Sequence, residues 1–291
     1  MINTKKIKDG YINYNWFPIL ADHCLDASAD YYKSIGVSRL SDKESFNPED
    51  VQDGDIIYVK TDFIFHGVFQ RDFMPKIKSK FTLVTGASSY QVSKGCSISS
   101  IIDSDLLIKW YCTNAPTYMH DKILPLPIGF DEFEREAGNQ ELLKEKRKNR
   151  TPFKDKKNKI YLPYHNFETN QHRKLLFDFI KNIKNVSAET ERLDFCDYMD
   201  KMDKYKYIIC LEGSGPDLHR NYECLLLDCV PINQKNVIEN LFNLHKIPSI
   251  FIGGWDCLTP DYLEQLMGRT HDFGNTESFL SIKYHEKIIK S

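Results

Sequence analysis

The stretch YKYIICLEGSGPDLHRNYECLLLDCVPIN, residues 205–233, decides the fold class of this chain. The apolar run 207–211 is typical of a buried strand, and the run 229–232 has the same character. Between them lies a loop with two glycines and a proline, followed by apolar residues at helical spacing. This pattern predicts a strand–loop–helix–strand unit, which is a building block of α/β proteins with parallel sheets.

The start of the predicted helix carries a charge of unexpected sign. The helix dipole is positive at this end and favours Asp or Glu, but the sequence has His219 and Arg220 in the first turn. A bound phosphate would reconcile the arginine with the dipole, because the free backbone N–H groups at a helix start also attract anions. The alternative is that Arg220 pairs with Asp217 or Glu223 on its own helix.

Neighbouring residues extend the phosphate hypothesis to a nucleotide site. Glu223 lies three residues after Arg220 on the same helix face, where a carboxylate accepts hydrogen bonds from ribose hydroxyls. Arg173 also lies in a first helical turn. The two loops before the helices of Arg173 and Arg220 would then bind one diphosphate from two sides. The alternative is that Arg173 is an ordinary surface arginine. The predicted nucleotide-binding residues are Gly213, Ser214, Gly215, His219, Arg220, Glu223 and Arg173.

The composition is that of a globular protein with a balanced charge. A length of 291 residues suits one large domain or two of ordinary size. The net charge of −2 creates no global field that attracts nucleic acid, so no nucleic-acid partner is expected. The 16 tyrosines and 18 phenylalanines fit either a large core or a surface that stacks on sugars.

The eight cysteines do not follow a disulfide or zinc pattern. No pair has CxxC spacing, and several cysteines lie inside apolar segments, so a reducing compartment is expected. The N-terminal residues include lysines but no apolar core of a signal peptide, and no apolar run of 18 residues occurs. We therefore expect a cytoplasmic protein without an integral membrane segment.

Strand and helix patterns alternate along both halves of the chain. In the first half, strands are predicted at 55–59, 81–85 and 123–128, and helices at 27–35 and 105–112. In the second half, strands are predicted at 160–163, 207–211, 229–232 and 249–252. Helices are predicted there at 171–183 (with Thr169 as a cap), 194–202, 237–242, 260–267 (started by Thr259 and Pro260) and 279–289.

This alternation predicts an α/β fold with two Rossmann-like parallel-sheet domains facing a cleft. The first domain spans 1–130. Residues 131–158 are highly charged and nearly free of aliphatic side chains, which favours a solvated linker. The second domain spans 159–270, and residues 271–291 form a C-terminal helix expected to pack back on the first domain.

Polar residues in the first half supply candidates for acid–base chemistry. Lys60 and Asp62 follow a strand, at the end where parallel sheets bind ligands, and Asp62 is the first candidate for a general base. A capping role is the alternative for Asp62. Asp22 and His23 form an acid–imidazole pair, with His23 as the second candidate, and Gly86 offers a backbone N–H to a substrate.

Several common cofactor motifs are absent from the sequence. It contains no GxxxxGK[ST], GxGxxG or HExxH motif, so a P-loop, a dinucleotide cofactor and this type of zinc site are not supported. The nearest match to a metal-binding DxD triplet, residues 103–105, precedes a predicted helix, where a capping role is favoured. We therefore expect no cofactor and no metal.

The motif residues at 211–215, 219–220, 223 and 228–232 resemble the C-terminal half of exostosin-like glycosyltransferases. Weaker similarities occur at 59–62, 83–86 and 126–129. The small size of the chain is similar to that of viral or bacterial members of this family. The specific resemblance covers about 30 residues, and the remainder agrees only in layout.

This resemblance implies a GT-B fold and an inverting transfer from a UDP- or GDP-linked sugar to an oligosaccharide or glycoprotein glycan, usually without metal. It implies that the second domain binds the donor, with Arg220 on the diphosphate and Glu223 on the ribose. The first domain would then bind the acceptor. A non-catalytic protein that binds nucleotide sugars or glycans is the alternative function.

Overall fold

The computed structural model divides the chain into two compact units, each with a parallel five-stranded sheet. One unit comprises Met1–Ile128 with Ser281–Ser291, and the other comprises Gly129–Leu280. The predicted α/β class with two parallel-sheet domains is therefore confirmed. The structure describes residues 9–13, 15–26, 46–92, 98–115 and 120–291, so the helix predicted at 27–35 lies outside the described residues.

The helices of the described residues are short and separate the strands. None of them is long and apolar enough to cross a membrane. In chain order they are α1 (Trp16–Leu20), α2 (Thr61–Phe65), α3 (Ser99–Ile102), α4 (Gln140–Asn149), α5 (His172–Ile180), α6 (Phe195–Met202), α7 (His219–Leu226), α8 (Ile238–His245), α9 (Pro260–Met267), α10 (Thr276–Leu280) and α11 (Ile282–Ile289).

In the first unit the strands follow one another across the sheet in chain order. The strands predicted at 55–59, 81–85 and 123–128 are confirmed: alternate residues such as Ile57 and Leu83 enter one core, and residues between them such as Tyr58 and Val84 are buried on the other face. The strands are β1 (His23–Leu25), β2 (Asp55–Lys60), β3 (Phe81–Gly86), β4 (Leu107–Thr113) and β5 (Ile123–Leu126).

Strand β4 corrects the helix predicted at 105–112. The segment pairs with β3 on one side and β5 on the other, so its backbone groups bond within the sheet. Trp110 is fully buried, and its indole N–H donates to Thr85 Oγ1 at 3.0 Å. Aromatic residues favour strands, and here the packing of a central strand outweighed a helical spacing of apolar residues.

The sheet of the second unit has the strand order β10-β9-β8-β6-β7. The chain moves from β6 to β7 on one side and then crosses to β8 on the other side of β6. The loops that leave β6 and β8 therefore diverge at the carboxyl ends of these strands, which is where open α/β sheets bind ligands. The strands are β6 (Lys157–Leu162), β7 (Val186–Ala188), β8 (Tyr205–Ile209), β9 (Val230–Gln234) and β10 (Ile250–Ile252).

The charged segment 131–158 belongs to the second unit and differs from the predicted linker. Asn139 caps α4 by accepting from the N–H groups of residues 141 and 142. Arg147 and Arg150 of this segment both pair with Asp228, just after α7. Through these ion pairs, Arg147 of α4 and Arg150 just after it attach the segment to the second unit, where the sequence predicted a solvated linker.

The C-terminal residues form two helices where the sequence predicted one at 279–289. Helix α10 ends the second unit, and α11 is grouped with the first. The N–H of Ile282 donates to the Gly10 carbonyl at 3.1 Å, and the Tyr111 hydroxyl donates to the Ile288 carbonyl at 2.8 Å. Because α11 bonds to residues of the first unit, the interruption between the two helices at Ser281 is the point where the chain re-enters the first unit.

Candidate active site

Arg220 lies in the first turn of α7 and is held by residues of two other elements. Its Nε donates to the Tyr198 hydroxyl at 3.0 Å, and its Nη2 donates to the Tyr164 carbonyl at 3.0 Å. The first turn of α7 contains no acidic residue, and Leu218 before it provides no side-chain cap. In the described part of the chain, two of the five N–H groups of Arg220 thus have protein acceptors.

Arg220 lines a cavity of about 670 Å³ that is built entirely from the second unit. The loops after β6 and β7 form much of its wall, so the cavity lies at the carboxyl ends of these strands. Its lining combines four aromatic residues (Tyr161, Tyr164, Phe195, Tyr198), three arginines (Arg135, Arg192, Arg220) and six carboxylates (Asp131, Glu136, Glu168, Glu189, Glu191, Asp194), together with Ala137, Asn166 and Leu193.

Glu223 is connected to Arg220 through Tyr198. The Tyr198 hydroxyl donates to Glu223 Oε2 at 2.7 Å while it accepts from Arg220. Glu223 is buried and is not among the residues that line the cavity. This conformation therefore does not place Glu223 as the predicted ribose ligand, and its observed partner is the tyrosine.

The environment shifts the pKa values of Glu223 and Arg220. Burial raises the pKa of Glu223 above its ordinary value, against the opposing effect of the positive charge on Arg220. Burial alone would lower the pKa of Arg220, but the surrounding groups, led by Tyr198, raise it above its ordinary value. Arg220 therefore keeps its positive charge.

Arg173 is buried, and it binds the loops that follow β6 and β8. Its Nε donates to the Glu212 carbonyl at 2.7 Å, and its Nη2 donates to the Leu211 carbonyl at 2.8 Å. Its Nη1 donates to the Asn166 carbonyl at 3.1 Å and to Thr169 Oγ1 at 2.6 Å. Four of its five N–H groups are thus bonded to the protein itself.

These bonds argue against the predicted role of Arg173 as a second diphosphate ligand. Arg173 does not line the Arg220 cavity, and its donors stabilise loop carbonyls instead. Burial, followed by the repulsion from Arg220, lowers the pKa of Arg173 to about 10, which still leaves it charged at neutral pH. Thr169, predicted as a helix cap, instead accepts from this guanidinium.

The glycine loop also differs from its predicted role. The loop residues Gly213, Ser214 and Gly215 do not line the Arg220 cavity, and neither does His219. A Cβ atom at Gly213 would lie 2.9 Å from Nη2 of Arg173, so a larger residue there would displace the guanidinium. His219 Nδ1 lies 2.8 Å from the Gly129 carbonyl oxygen.

His165 lies buried between the same two loops. Its Nδ1 lies 2.7 Å from the Pro163 carbonyl, and its Nε2 accepts from the Leu211 N–H at 3.2 Å. This pair of bonds requires the neutral ring protonated at Nδ1. Burial, together with the nearby positive charges of Arg220 and Arg173, lowers the pKa of His165 well below its ordinary value.

We expect acid to destabilise the protein through His165. Below pH 6.5 the unfolded chain takes up a proton at this histidine and the folded chain does not, so stability falls as the pH falls. Between pH 7.0 and 5.5 the wild type should lose about 1.3 kcal/mol more unfolding free energy than His165→Gln. Urea denaturation at both pH values measures this difference, and equal losses in the two proteins would contradict it.

In the first unit the structure brings together the predicted general base Asp62 and two predicted acceptor-side residues, Lys60 and Gly86. Lys60 is paired in register with Gly86 at the carboxyl ends of β2 and β3, and Thr61 Oγ1 donates to the Gly86 carbonyl at 3.2 Å. Asp62 follows in the first turn of α2, where no side-chain cap is formed. Its Oδ2 is buried without a hydrogen-bond partner among the described residues, which is unusual for a structural carboxylate.

Asp22 and His23 lie at the opposite end of the sheet. His23 is the first residue of β1 and is paired in register with Ile57, roughly 10 Å before Lys60 along the strand direction. Its Nε2 lies 2.8 Å from Asp55 Oδ2, and Asp22 Oδ2 accepts from the N–H of Ile56 at 3.0 Å. Both predictions are therefore corrected, because these two side chains support the amino ends of β1 and β2.

Sequence reasoning missed two features of the same region. Asp26 is buried directly after β1, beside the carboxyl end of β2. It was missed because the sequence predicted no strand at 23–25. Phe65 and Tyr90 are both exposed, and their rings stack with centroids 4.2 Å apart. No local pattern connects residues that lie 25 positions apart, so this pair appears only in the folded chain.

The chain was compared with known proteins. No family model matches it, and no curated protein matches it. Among solved structures, the UDP-GlcNAc 2-epimerase of Methanocaldococcus jannaschii in complex with UDP-GlcNAc and UDP is 13% identical, with 81% of this chain and 74% of that chain covered and a TM-score of 0.38. An α1,3-fucosyltransferase with GDP-fucose is 12% identical, with 95% and 97% covered and a TM-score of 0.34. TM-scores this low do not establish a shared fold.

Proposed function

We propose that the chain is a GT-B-type glycosyltransferase that binds its nucleotide-sugar donor in the second unit. The observation that carries this proposal is Arg220, which lines the cavity formed largely by the loops after β6 and β7 and, among the described residues, keeps N–H groups without a protein acceptor. Arginine binds phosphate through paired, charge-assisted hydrogen bonds. The sequence resemblance at 211–232 supports the same assignment.

The cavity suits a nucleoside diphosphate linked to a sugar. Its volume of about 670 Å³ lies within the range of small-molecule sites. Partly exposed aromatic rings such as Tyr164 and Phe195 suit a nucleobase, and the carboxylates suit the hydroxyls of ribose or of the sugar. The donor class that we propose is a UDP- or GDP-linked sugar.

The proposed reaction is an inverting transfer. The oxygen of an acceptor hydroxyl on a glycan attacks the anomeric carbon, and the bond from that carbon to the diphosphate oxygen breaks. Asp62 takes the proton of the attacking hydroxyl as a general base. Arg220 stabilises the negative charge that develops on the leaving diphosphate. The expectation that no metal takes part stays a prediction.

The alternative function is a protein that binds nucleotide sugars without catalysis. The cavity favours neither function, because it belongs to the second unit alone. The two functions differ in slow hydrolysis of the donor, which a transferase produces and a binding protein does not. Free sugar released from UDP- and GDP-sugars by the wild type, and lost in Asp62→Asn, would identify the transferase.

A ligand screen tests the donor assignment directly. Thermal unfolding is measured with UDP-, GDP- and dTDP-linked sugars. Bound donor at a hundred times its dissociation constant should stabilise the folded chain by about 2.7 kcal/mol. A chain that none of these donors stabilises would contradict the proposed function.

Arg220→Ala should weaken the binding of UDP or GDP by about 1.5–3 kcal/mol, because it removes charge-assisted hydrogen bonds to phosphate. Titration calorimetry measures the change, with Arg269→Ala as a matched control, since Arg269 is an exposed arginine outside the cavity. Binding of the nucleoside without phosphates should change little. Equal diphosphate affinities in Arg220→Ala and the wild type would overturn the assignment of the site.

A further inference from the structure

Tyr198 connects Arg220 to Glu223 through a single hydroxyl group. Arg220 Nε donates to this hydroxyl at 3.0 Å, and the hydroxyl lies 2.7 Å from Glu223 Oε2. The guanidinium carbon of Arg220 also lies 5.5 Å from the centre of the Tyr198 ring. Tyr198 is on α6, whereas Arg220 and Glu223 are on α7. The contact therefore joins two helices that are separated in the chain by β8.

The direction of these hydrogen bonds follows from the chemistry of the groups. An arginine N–H can only donate, so the hydroxyl must accept from Arg220. The single hydroxyl proton of Tyr198 is then available for the Glu223 carboxylate. Glu223 therefore fixes the orientation of the hydroxyl, and the hydroxyl in turn fixes Arg220.

The remaining contact of Arg220 completes this arrangement. The Tyr164 carbonyl accepts from Nη2, so the guanidinium plane is held at two of its three nitrogens. A free arginine side chain loses rotamer entropy when it is ordered by a ligand. An arginine that is already ordered avoids much of this cost, and its affinity for an anion rises accordingly.

We propose that Tyr198 is a positioning residue that preorganises Arg220 for the diphosphate, and that Glu223 acts on Tyr198 rather than on the ligand. The inference rests on the proposed function of the cavity. It assigns to Tyr198 a role in phosphate affinity and leaves contacts with the nucleoside to other residues of the lining.

The test measures how Tyr198→Phe binds GDP and UDP and how it binds guanosine and uridine. The variant keeps the ring and loses only the hydroxyl. For whichever of GDP and UDP binds more tightly to the wild type, we expect the dissociation constant to rise on the order of tenfold. The dissociation constant of the corresponding nucleoside should stay unchanged. Tyr262→Phe, which removes a hydroxyl from a residue outside the cavity, should leave both constants unchanged.

Combining substitutions separates positioning from a general loss of structure. In an Arg220→Ala background, Tyr198→Phe should have almost no further effect, because the residue that it positions is gone. Glu223→Gln keeps an acceptor for the Tyr198 hydroxyl, so its diphosphate affinity should stay close to that of the wild type. A direct ribose ligand would instead lose nucleoside affinity in this variant.

Three outcomes would overturn the inference. They are an unchanged diphosphate affinity in Tyr198→Phe, an equal loss for nucleoside and diphosphate, and losses that add fully in the double variant. If Tyr198→Phe does not fold, the retained affinity expected of Glu223→Gln still tests the role of Glu223. An Arg220→Ala variant that binds diphosphate normally would overturn the proposed function itself, which distinguishes the two failures.

Discussion

Asp62→Asn is expected to lower the turnover of sugar transfer by about 10²- to 10⁴-fold, with the affinity for the donor unchanged. Asparagine keeps the size of the side chain but does not accept a proton from the acceptor hydroxyl. The carboxylate lies where ligands bind parallel sheets, and its Oδ2 has no partner among the described residues. Initial rates with the donor found in the ligand screen measure the change.

The control for this prediction is Asp103→Asn, an exposed aspartate of the same unit that lies before β4. It should retain normal turnover. Turnover of Asp62→Asn within a few-fold of the wild type would contradict the assignment and direct attention to Asp26, another acid at this end of the sheet. A loss of donor affinity would mean that Asp62 is structural.

Arg173→Ala is expected to lower the free energy of unfolding by roughly 3–5 kcal/mol. The substitution removes a buried charge and four hydrogen bonds, three of them to the carbonyls of Asn166, Leu211 and Glu212. These carbonyls belong to the two loops at the divergence of β6 and β8, so their stability depends on one side chain. Urea denaturation of the purified variant measures the loss.

Lys174→Ala provides the matched control on the same helix. Lys174 pairs with Asp178 on the surface, and exposed ion pairs contribute about 0–1 kcal/mol. If Arg173→Ala were no less stable than Lys174→Ala but failed to bind diphosphate, Arg173 would be a ligand after all. The original sequence-based prediction would then hold, and the structural role would be wrong.

The two arginines show why a sequence pattern does not settle a site. Arg173 and Arg220 occupy equivalent positions, each in the first turn of a helix that follows a strand, and the dipole argument applies to both. Four N–H groups of Arg173 are used by loop carbonyls, whereas two of Arg220 have acceptors in the described chain. This difference depends on the positions of loops that are distant in the sequence, and a local sequence pattern does not predict those positions.

Strands and helices were predictable from the sequence wherever a continuous apolar run, a helical spacing of apolar residues or a capping residue marks them locally. The runs at β2, β3, β8 and β9 and the run 160–162 of β6 are apolar because parallel strands between helices are buried on both faces. Helix α9 begins with Thr259 as its cap and Pro260 in its first position, as predicted. The prediction failed at β4, where a helical spacing of apolar residues was overruled by pairing with two neighbouring strands.

The residues of 205–233 were sufficient to predict a parallel α/β unit, because hydrophobic periodicity and turn residues act within a few positions of each other. The connection of Arg220 to Glu223 through Tyr198 could not be predicted from this stretch, because it requires α6 and α7 to pack together. The location of His23 at the amino end of its sheet likewise depended on the register of β1 against β2. The sequence determines which chemical groups the side chains carry, whereas long-range packing determines which of those groups come into contact.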